Sequence, residues 1–333
     1  MKVQALFQSF ATKKILVIGD MMIDSYIKGS VSRISPEAPV PIVNFSVKED
    51  RLGGAANVAL NLVALGATTF VASVVGKDEH SEEMLNLFRA QKIDCSSLLQ
   101  SETRKTTVKT RVLGNNQQLL RIDTEQINAI SETEEKQLIQ LVSDLISKEK
   151  IDAIIFEDYN KGVLTKRVIS EIIKLSKANN IITTVDPKKD NFFEYQGVTL
   201  FKPNLKELKE GLDVQFDIRH GLTEFEQAVK VLSERLQNEI SFVTLSEFGV
   251  FIKGKSEQHH LSAHVRNIAD VSGAGDTVIS VATLALTAGI DLKNVAQIAN
   301  ISGGLVCEEV GVVSIDRVKL EQEILKIIGE EIL

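Results

Sequence analysis

IDAIIFEDYNKGVLTKRVISEIIKLSKANNIITTVDP, residues 151–187, decides the fold. Residues 151–156 read as a strand, and residues 181–185 as a second strand that stops at Asp186-Pro187. Between them Thr165 begins a helix that runs to about Asn179. A strand, a helix and a strand in that order form the unit of a parallel sheet.

The same alternation extends in both directions. Residues 14–18 read as a buried strand, 58–65 as a helix and 69–75 as a strand. Ser131 and Glu134 form a capping box ahead of an amphipathic helix at 135–148. Residues 199–202 are a short strand before Pro203, 225–236 a helix and 242–245 a strand. The expected architecture is α/β: a doubly wound, mostly parallel sheet with helices on both faces. Residues 55–76 are uncharged and long enough to span a bilayer. Asn57, Asn61, Thr68 and Thr69 stud them, however, and Gly66 breaks them. They read as helix, glycine stop and buried strand.

Two regions interrupt the rhythm. Residues 34–47 hold Pro36, Pro39 and Pro41 and are extended. Residues 107–113 and 118–122 are β-rich runs joined by Gly114-Asn115-Asn116, a hairpin signal. Together they predict a small β-lid from about 25–50 and 104–124 on one unit, 1–333. A lid keeps water from the chemistry of an enzyme.

Composition excludes several classes. The 333 residues carry 38 Lys+Arg against 45 Asp+Glu, a net charge of −7. With 44% hydrophobic and 25% charged residues, collagen, disorder, disulfide scaffolds and coiled coils are ruled out. The acidic balance argues against nucleic-acid and anionic-membrane partners. Cys95 and Cys307 fit neither a disulfide framework nor a zinc site, and the N-terminus lacks a signal peptide's long apolar core. Cytoplasmic localisation is the expectation.

Four motifs carry chemistry. DVSGAGDT at 270–277 runs into an apolar helix. Its small residues let backbone N–H groups approach an anion, and the helix start adds a positive dipole end. Asp276 stands where a carboxylate could take a proton from an attacking hydroxyl, and its place at a helix start is expected to keep it ionised. RLGGAAN at 51–57 offers paired glycines and Asn57 to sugar hydroxyls. GDMMID at 19–24 follows the first strand, where open α/β sheets bind ligands, and brings Asp24. PNLKE at 203–207 places Asn204 and Glu207 one turn apart, suited to a water-coordinated magnesium, with Asp186 as a further carboxylate. Each also has a plainer reading as a cap or turn.

GVFIKGKS at 249–256 matches the spacing of a phosphate-binding P-loop. Its intervening residues are bulky and strand-like, and no helix follows, so it reads as strands and turns. His259, His260 and His264 belong to the same exposed stretch and not to a metal site.

In order along the chain, these motifs resemble the ribokinase-like (PfkB) carbohydrate kinases. SRISPEAPVP (32–41), GGAANVA (53–59), NQQLLR (116–121), DYNKG (158–162) and DPK (186–188) resemble one subgroup, the D-glycero-β-D-manno-heptose 7-phosphate kinases, in which Val271 is the expected variant. The resemblance implies ATP- and magnesium-dependent phosphorylation of the anomeric 1-hydroxyl. The product would be the 1,7-bisphosphate on the route to ADP-heptose and lipopolysaccharide. Asp276 would be the base, with Gly273, Ala274 and Gly275 as the anion hole. Asn204, Glu207, Ser246 and Gly249 would bind nucleotide. Asp186 and Glu207 would hold magnesium through water. Asp24, Gly53, Gly54 and Asn57 would hold the sugar. Arg111, Arg121, Lys161 and Lys188 are candidates for the distal phosphate. The resemblance further implies a homodimer through the lid and leaves room for a monovalent cation near Asp270. No His-x-Gly-His motif of a fused adenylyltransferase occurs in the sequence. A kinase for another sugar, or a sugar or nucleotide sensor on the same fold, remains an alternative.

Overall fold

Along β1 (Lys14–Gly19) successive side chains turn to opposite faces. Ile15 and Val17 join one buried cluster, Leu16 and Ile18 a second. The sheet therefore lies between two apolar layers. The computed structural model describes residues 1–264 and 266–332.

Helix α1 (Val3–Phe10) precedes β1, and β2 (Met21–Ile34) and β3 (Pro41–Gly54) follow it. Next come α2 (Ala55–Ala64), β4 (Thr68–Gly76), α3 (Glu79–Ala90), β5 (Asp94–Ser101), β6 (Thr107–Gly114) and β7 (Gln117–Thr124). The middle of the chain forms α4 (Glu132–Lys148), β8 (Ala153–Glu157), α5 (Lys166–Ala178), β9 (Ile182–Asp186) and β10 (Leu200–Phe201). Then follow α6 (Leu205–Leu212), α7 (Thr223–Leu236), β11 (Ile240–Thr244), β12 (Val250–Lys253) and β13 (Gln258–Leu261). Helices α8 (Ala274–Thr287), α9 (Leu292–Val306) and α10 (Arg317–Ile327) complete the described elements.

Among the described residues, nine strands form the main sheet in the order β13-β12-β11-β10-β9-β8-β1-β4-β5. Seven run parallel, from β5 to β11, while β12 and β13 extend the edge antiparallel. Residues of α1, α2, α8, α9 and α10 pack in the layer with Val17, and those of α4, α5 and α7 in the layer with Leu16. This is the doubly wound arrangement expected. A second sheet, β3-β2-β6-β7, is the lid.

Several boundaries differ from the sequence reading. The strand expected at 151–156 begins at Ala153, because the Asp152 carboxylate instead accepts the Lys14 N–H at 2.8 Å. The lid strands β2 and β3 each run 14 residues, and β3 takes up residues 41–47 of the region expected to be extended at 34–47. Pro36 and Pro39 lie in the connection between them. Pro41 opens β3, a place where its missing N–H removes no ladder bond from a strand interior. Residues 250–253 of the P-loop look-alike are strand β12, and His259 and His260 lie on edge strand β13. No described helix is long and apolar enough to cross a membrane.

Candidate active site

The carboxyl ends of the central parallel strands deliver charge to one place. Asp20 follows β1, Glu157 ends β8, Asp186 ends β9 and Lys202 follows β10. Glu157 and Asp186 are register partners on adjacent strands. This is where open parallel sheets hold their ligands.

Opposite them stands the N-terminus of α8. Gly273 precedes it at φ +79°, in the left-handed region that a side chain disfavours. Asp276 sits in the first turn and is buried. Both of its oxygens accept hydrogen bonds: Asn57 Nδ2 donates to Oδ2 at 2.7 Å, and the Tyr159 hydroxyl donates to Oδ1 at 3.0 Å. Burial is the largest influence on its acidity and, with the Asp186 charge, pushes its pKa up to about 6 against those donors. The sequence reading expects a carboxylate kept firmly ionised by its helix start. Burial outweighs that effect, so the group lies closer to neutrality, as a proton acceptor requires.

Asp186 is bracketed by two lysines. Lys202 Nζ lies 2.8 Å from Oδ2, and Lys188 Nζ 3.5 Å from Oδ1. Burial would raise Asp186, yet the two ammonium groups hold it below its ordinary value. Lys188 also bonds Glu207 Oε1 at 2.7 Å, so its partners lie at the strand ends and not on the lid. Asn204 and Glu207 cap each other: Glu207 N–H donates to Asn204 Oδ1 at 2.8 Å, and Asn204 N–H to Glu207 Oε2 at 2.9 Å. The helix-cap reading and the ligand-site reading thus fall on the same residues.

Glu157 was not anticipated. It is 1% exposed, and neither carboxylate oxygen has a hydrogen-bond partner. Burial first, then the nearby Asp186 and Asp276 charges, push its pKa well above the ordinary value. Glu157, Asp186 and Asp276 each present an oxygen within 4.8 Å of the others. Orphaned buried oxygens in an all-carboxylate set fit a hard divalent cation such as magnesium. The sequence reading gave no role to Lys202, placed in the strand expected at 199–202, or to Tyr159, which entered only within the DYNKG stretch.

On the lid sheet, Asp24 is buried on β2, and Arg111 Nη1 of β6 bonds its Oδ1 at 2.5 Å. Gly53 is its neighbour. A Cβ there would lie 2.2 Å from Asp24 Oδ2, so only glycine leaves Asp24 its place. Gly54 and Asn57 begin α2 beside it. Arg121 lies exposed on β7, paired with Asp123. Lys161 bonds Glu125 at 2.8 Å. Asp20 acts as an anchor: its carboxylate accepts the N–H groups of Tyr159, Lys161 and Val163, while burial pushes its pKa up to about 6.

On the other side of the α8 N-terminus opens a cavity of about 660 Å³. Ser246 and Gly249 line it together with Ala274, Gly275, His264 and Asn300. That size suits a nucleoside. Ala274 and Gly275 of the glycine loop thus border this cavity, and Asp276, next in the chain, meets the carboxylates of β8 and β9.

Residues 12–317 match the pfkB family carbohydrate kinase. The bifunctional protein HldE of Methylobacillus flagellatus is 39% identical over 93% of this chain and 63% of its own length. HldE of Desulfatibacillum aliphaticivorans is 39% identical over 95% of the chain and 64% of its own, and that of Helicobacter pylori HPAG1 37% over 90% and 64%. The chain thus spans a little under two thirds of these curated relatives. Escherichia coli phosphofructokinase-2 in complex with potassium has a similar fold, with a TM-score of 0.77 at 16% identity over 96% of this chain and 99% of its own. Arabidopsis thaliana ribokinase complexed with ribose and ATP gives 0.69 at 15% over 93% and 99%. Ordered motifs, fold and similarity along nearly the whole length agree: this chain belongs to the pfkB family of carbohydrate kinases.

Proposed function

We propose that the protein transfers the γ-phosphoryl group of ATP to the anomeric 1-hydroxyl of D-glycero-β-D-manno-heptose 7-phosphate. The product is the 1,7-bisphosphate, on the route to ADP-heptose and lipopolysaccharide. The observation that carries the reading is Asp276, held by Asn57 and Tyr159 at the N-terminus of α8, between the nucleoside-sized cavity and the Asp24 end of the site. The stretches that resemble the heptose 7-phosphate kinases, and the similarity to proteins named HldE, support the choice of sugar.

In this reading the sugar rests on Asp24, Gly53, Gly54 and Asn57. The nucleotide lies along Ser246, Gly249, Asn204 and Glu207. Asp276 takes the proton of the attacking hydroxyl as its oxygen bonds the γ-phosphorus. The bond from that phosphorus to the bridging oxygen breaks, and ADP leaves with the electron pair. The N–H groups of Gly273, Ala274 and Gly275 face the charge that develops on the phosphoryl oxygens. Lys188 and Lys202 supply fixed positive charge beside it. Glu157, Asp186 and Glu207 would hold magnesium, which when bound neutralises part of the triphosphate charge. The same reading leaves room for a monovalent cation beside Asp270.

The catalytic unit is taken as residues 1–333 with the lid. A homodimer forms through the lid's outer face, where Phe45, Leu120 and Ile122 are exposed. The unpaired thiols of Cys95 and Cys307 support a cytoplasmic setting.

Magnesium-dependent ADP release with heptose 7-phosphate, fructose 6-phosphate, ribose and no acceptor tests the reading. Selective turnover of heptose 7-phosphate, reduced about 10²- to 10⁴-fold in Asp276→Asn, is expected. Preference for another sugar overturns the choice of substrate. ATP binding without turnover of any acceptor overturns the kinase reading.

A further inference from the structure

Two lysines from different parts of the fold converge on one glutamate. Lys109 of β6 places Nζ 3.1 Å from one oxygen of Glu125 and 3.2 Å from Asp123 Oδ2, and Lys161 places Nζ 2.8 Å from the other Glu125 oxygen. Lys109 and Glu125 belong to the lid segment, whereas Lys161 belongs to the loop after β8. All three side chains are largely buried.

The loop carrying Lys161 is held firmly. Asp20 accepts its N–H at 3.1 Å, and Arg104 donates to its carbonyl at 2.5 Å. Tyr159, two residues earlier, reaches Asp276. On the lid side, Lys109 is the register partner of Asp24, and Arg111 bridges Asp24 and the Lys109 carbonyl. The lysine pair therefore borders the space between Asp24 and Tyr159.

The neighbouring cations are engaged differently. Arg111 holds Asp24 and lies over the Tyr26 ring, and Arg51 holds Glu49 over the same ring. Arg121 grips Asp123 with two nitrogens. Among the described residues, only at Glu125 do a lid cation and a body cation share one carboxylate. A phosphomonoester carries more charge than a carboxylate and more acceptor oxygens, and lysines bind it as point charges.

We propose that Glu125 competes with the phosphate at the far end of the acceptor sugar for Lys109 and Lys161, so that substrate replaces an internal anion bridging lid and body. This rests on the reading of the acceptor as a sugar phosphate. The lysines would then recognise the distal phosphate, and Glu125 would set a threshold that an unphosphorylated sugar does not cross.

The sign of one substitution separates this role from a structural one. Glu125→Gln, which keeps the shape and removes the charge, should lower the KM for the sugar phosphate several-fold. Lys109→Met and Lys161→Met should each raise it about tenfold or more, with the KM for ATP unchanged. A higher sugar-phosphate KM in Glu125→Gln would make the cluster a structural lock and overturn the proposal. Unchanged values in all three variants would overturn it equally.

Titration with inorganic phosphate, followed by phosphorus NMR on the whole chain, tests the cluster without turnover. Tighter binding to Glu125→Gln than to wild type, and weaker binding to Lys161→Met, is expected. Identical binding to the three proteins would overturn the proposal. Turnover of unphosphorylated sugars as readily as phosphorylated ones would defeat the acceptor reading, while the phosphate titration would still decide the fate of the lysine pair.

Discussion

The Tyr159 hydroxyl donates to Asp276 Oδ1 at 3.0 Å, from a loop whose backbone is fastened by the Asp20 carboxylate. A residue after β8 thereby fixes the rotamer of a carboxylate on α8. A hydrogen bond to the charged form of an acid lowers its pKa, so the phenol holds Asp276 below the value that burial alone would set. Tyr159→Phe removes that donor. The acidic limb of the kcat/KM profile should move upward by about one to two units, because a bond to a charged group contributes about 1.5–3 kcal/mol and one unit is about 1.4 kcal/mol. A pH–rate profile of the two proteins reads this directly.

Asp276→Asn should cut turnover about 10²- to 10⁴-fold and stabilise the fold. The folded pKa of about 6 exceeds the ordinary 3.8, so the carboxyl favours folding when protonated. That contribution is complete below pH 3.8 and is lost as the pH rises through about 6. At pH 8 wild type therefore buries an unfavourable charge that asparagine lacks. Urea unfolding should show the variant more stable by about 1–3 kcal/mol at pH 8, with the difference shrinking toward pH 4.

Lys202→Met leaves Asp186 without its closest cation in a buried site. Breaking a buried pair from one side costs about 3–5 kcal/mol. The double variant Asp186→Asn, Lys202→Met should recover most of that loss. It should not recover ADP release, because the fixed charge beside the glycine loop is still missing. Denaturant unfolding and ADP release on both variants check this.

Gly53→Ala places a methyl group where Asp24 Oδ2 now lies. Asp24 must turn away and break its bond to Arg111. The expected result is a rise of about tenfold or more in the sugar KM with little change in the ATP KM, measured by initial rates.

Phe45→Asp puts a charge on the apolar outer face of the lid, at a side chain now 66% exposed. If that face joins two copies, sedimentation velocity should show the variant as a monomer at concentrations where wild type is a dimer.

Much of the body was legible because its strands are short apolar runs between caps and turns. The 151–187 unit appears as β8, α5 and β9. Ser131 caps α4, and Thr165 caps α5. The lid was legible in place but not in extent. Strands β2 and β3 carry polar residues on a face that turns from the core, so the alternation weakens beyond Asp24. In the site, Asp276 and the glycine loop were marked by local pattern. Glu157 and Lys202 were not: a single charge after an apolar run looks like a strand end, and only the adjacency of β8, β9 and β10 brings these residues together. Asn204 illustrates a different limit, since its spacing to Glu207 fits a helix cap and a ligand site alike, and the cap is what the structure shows.

Strands β2 and β3 leave the body together, at Met21 and Gly54, and reach their far ends about 40 Å away at a strand's rise per residue. Asp24 lies only about 10 Å along that arm. Any rotation about the junction sweeps the proline-bearing tip about four times as far as Asp24, by simple proportion of these lengths. The arm has the geometry of a lever with Asp24 near the fulcrum. A rotation there carries the tip through a wide arc and Asp24 through a small one.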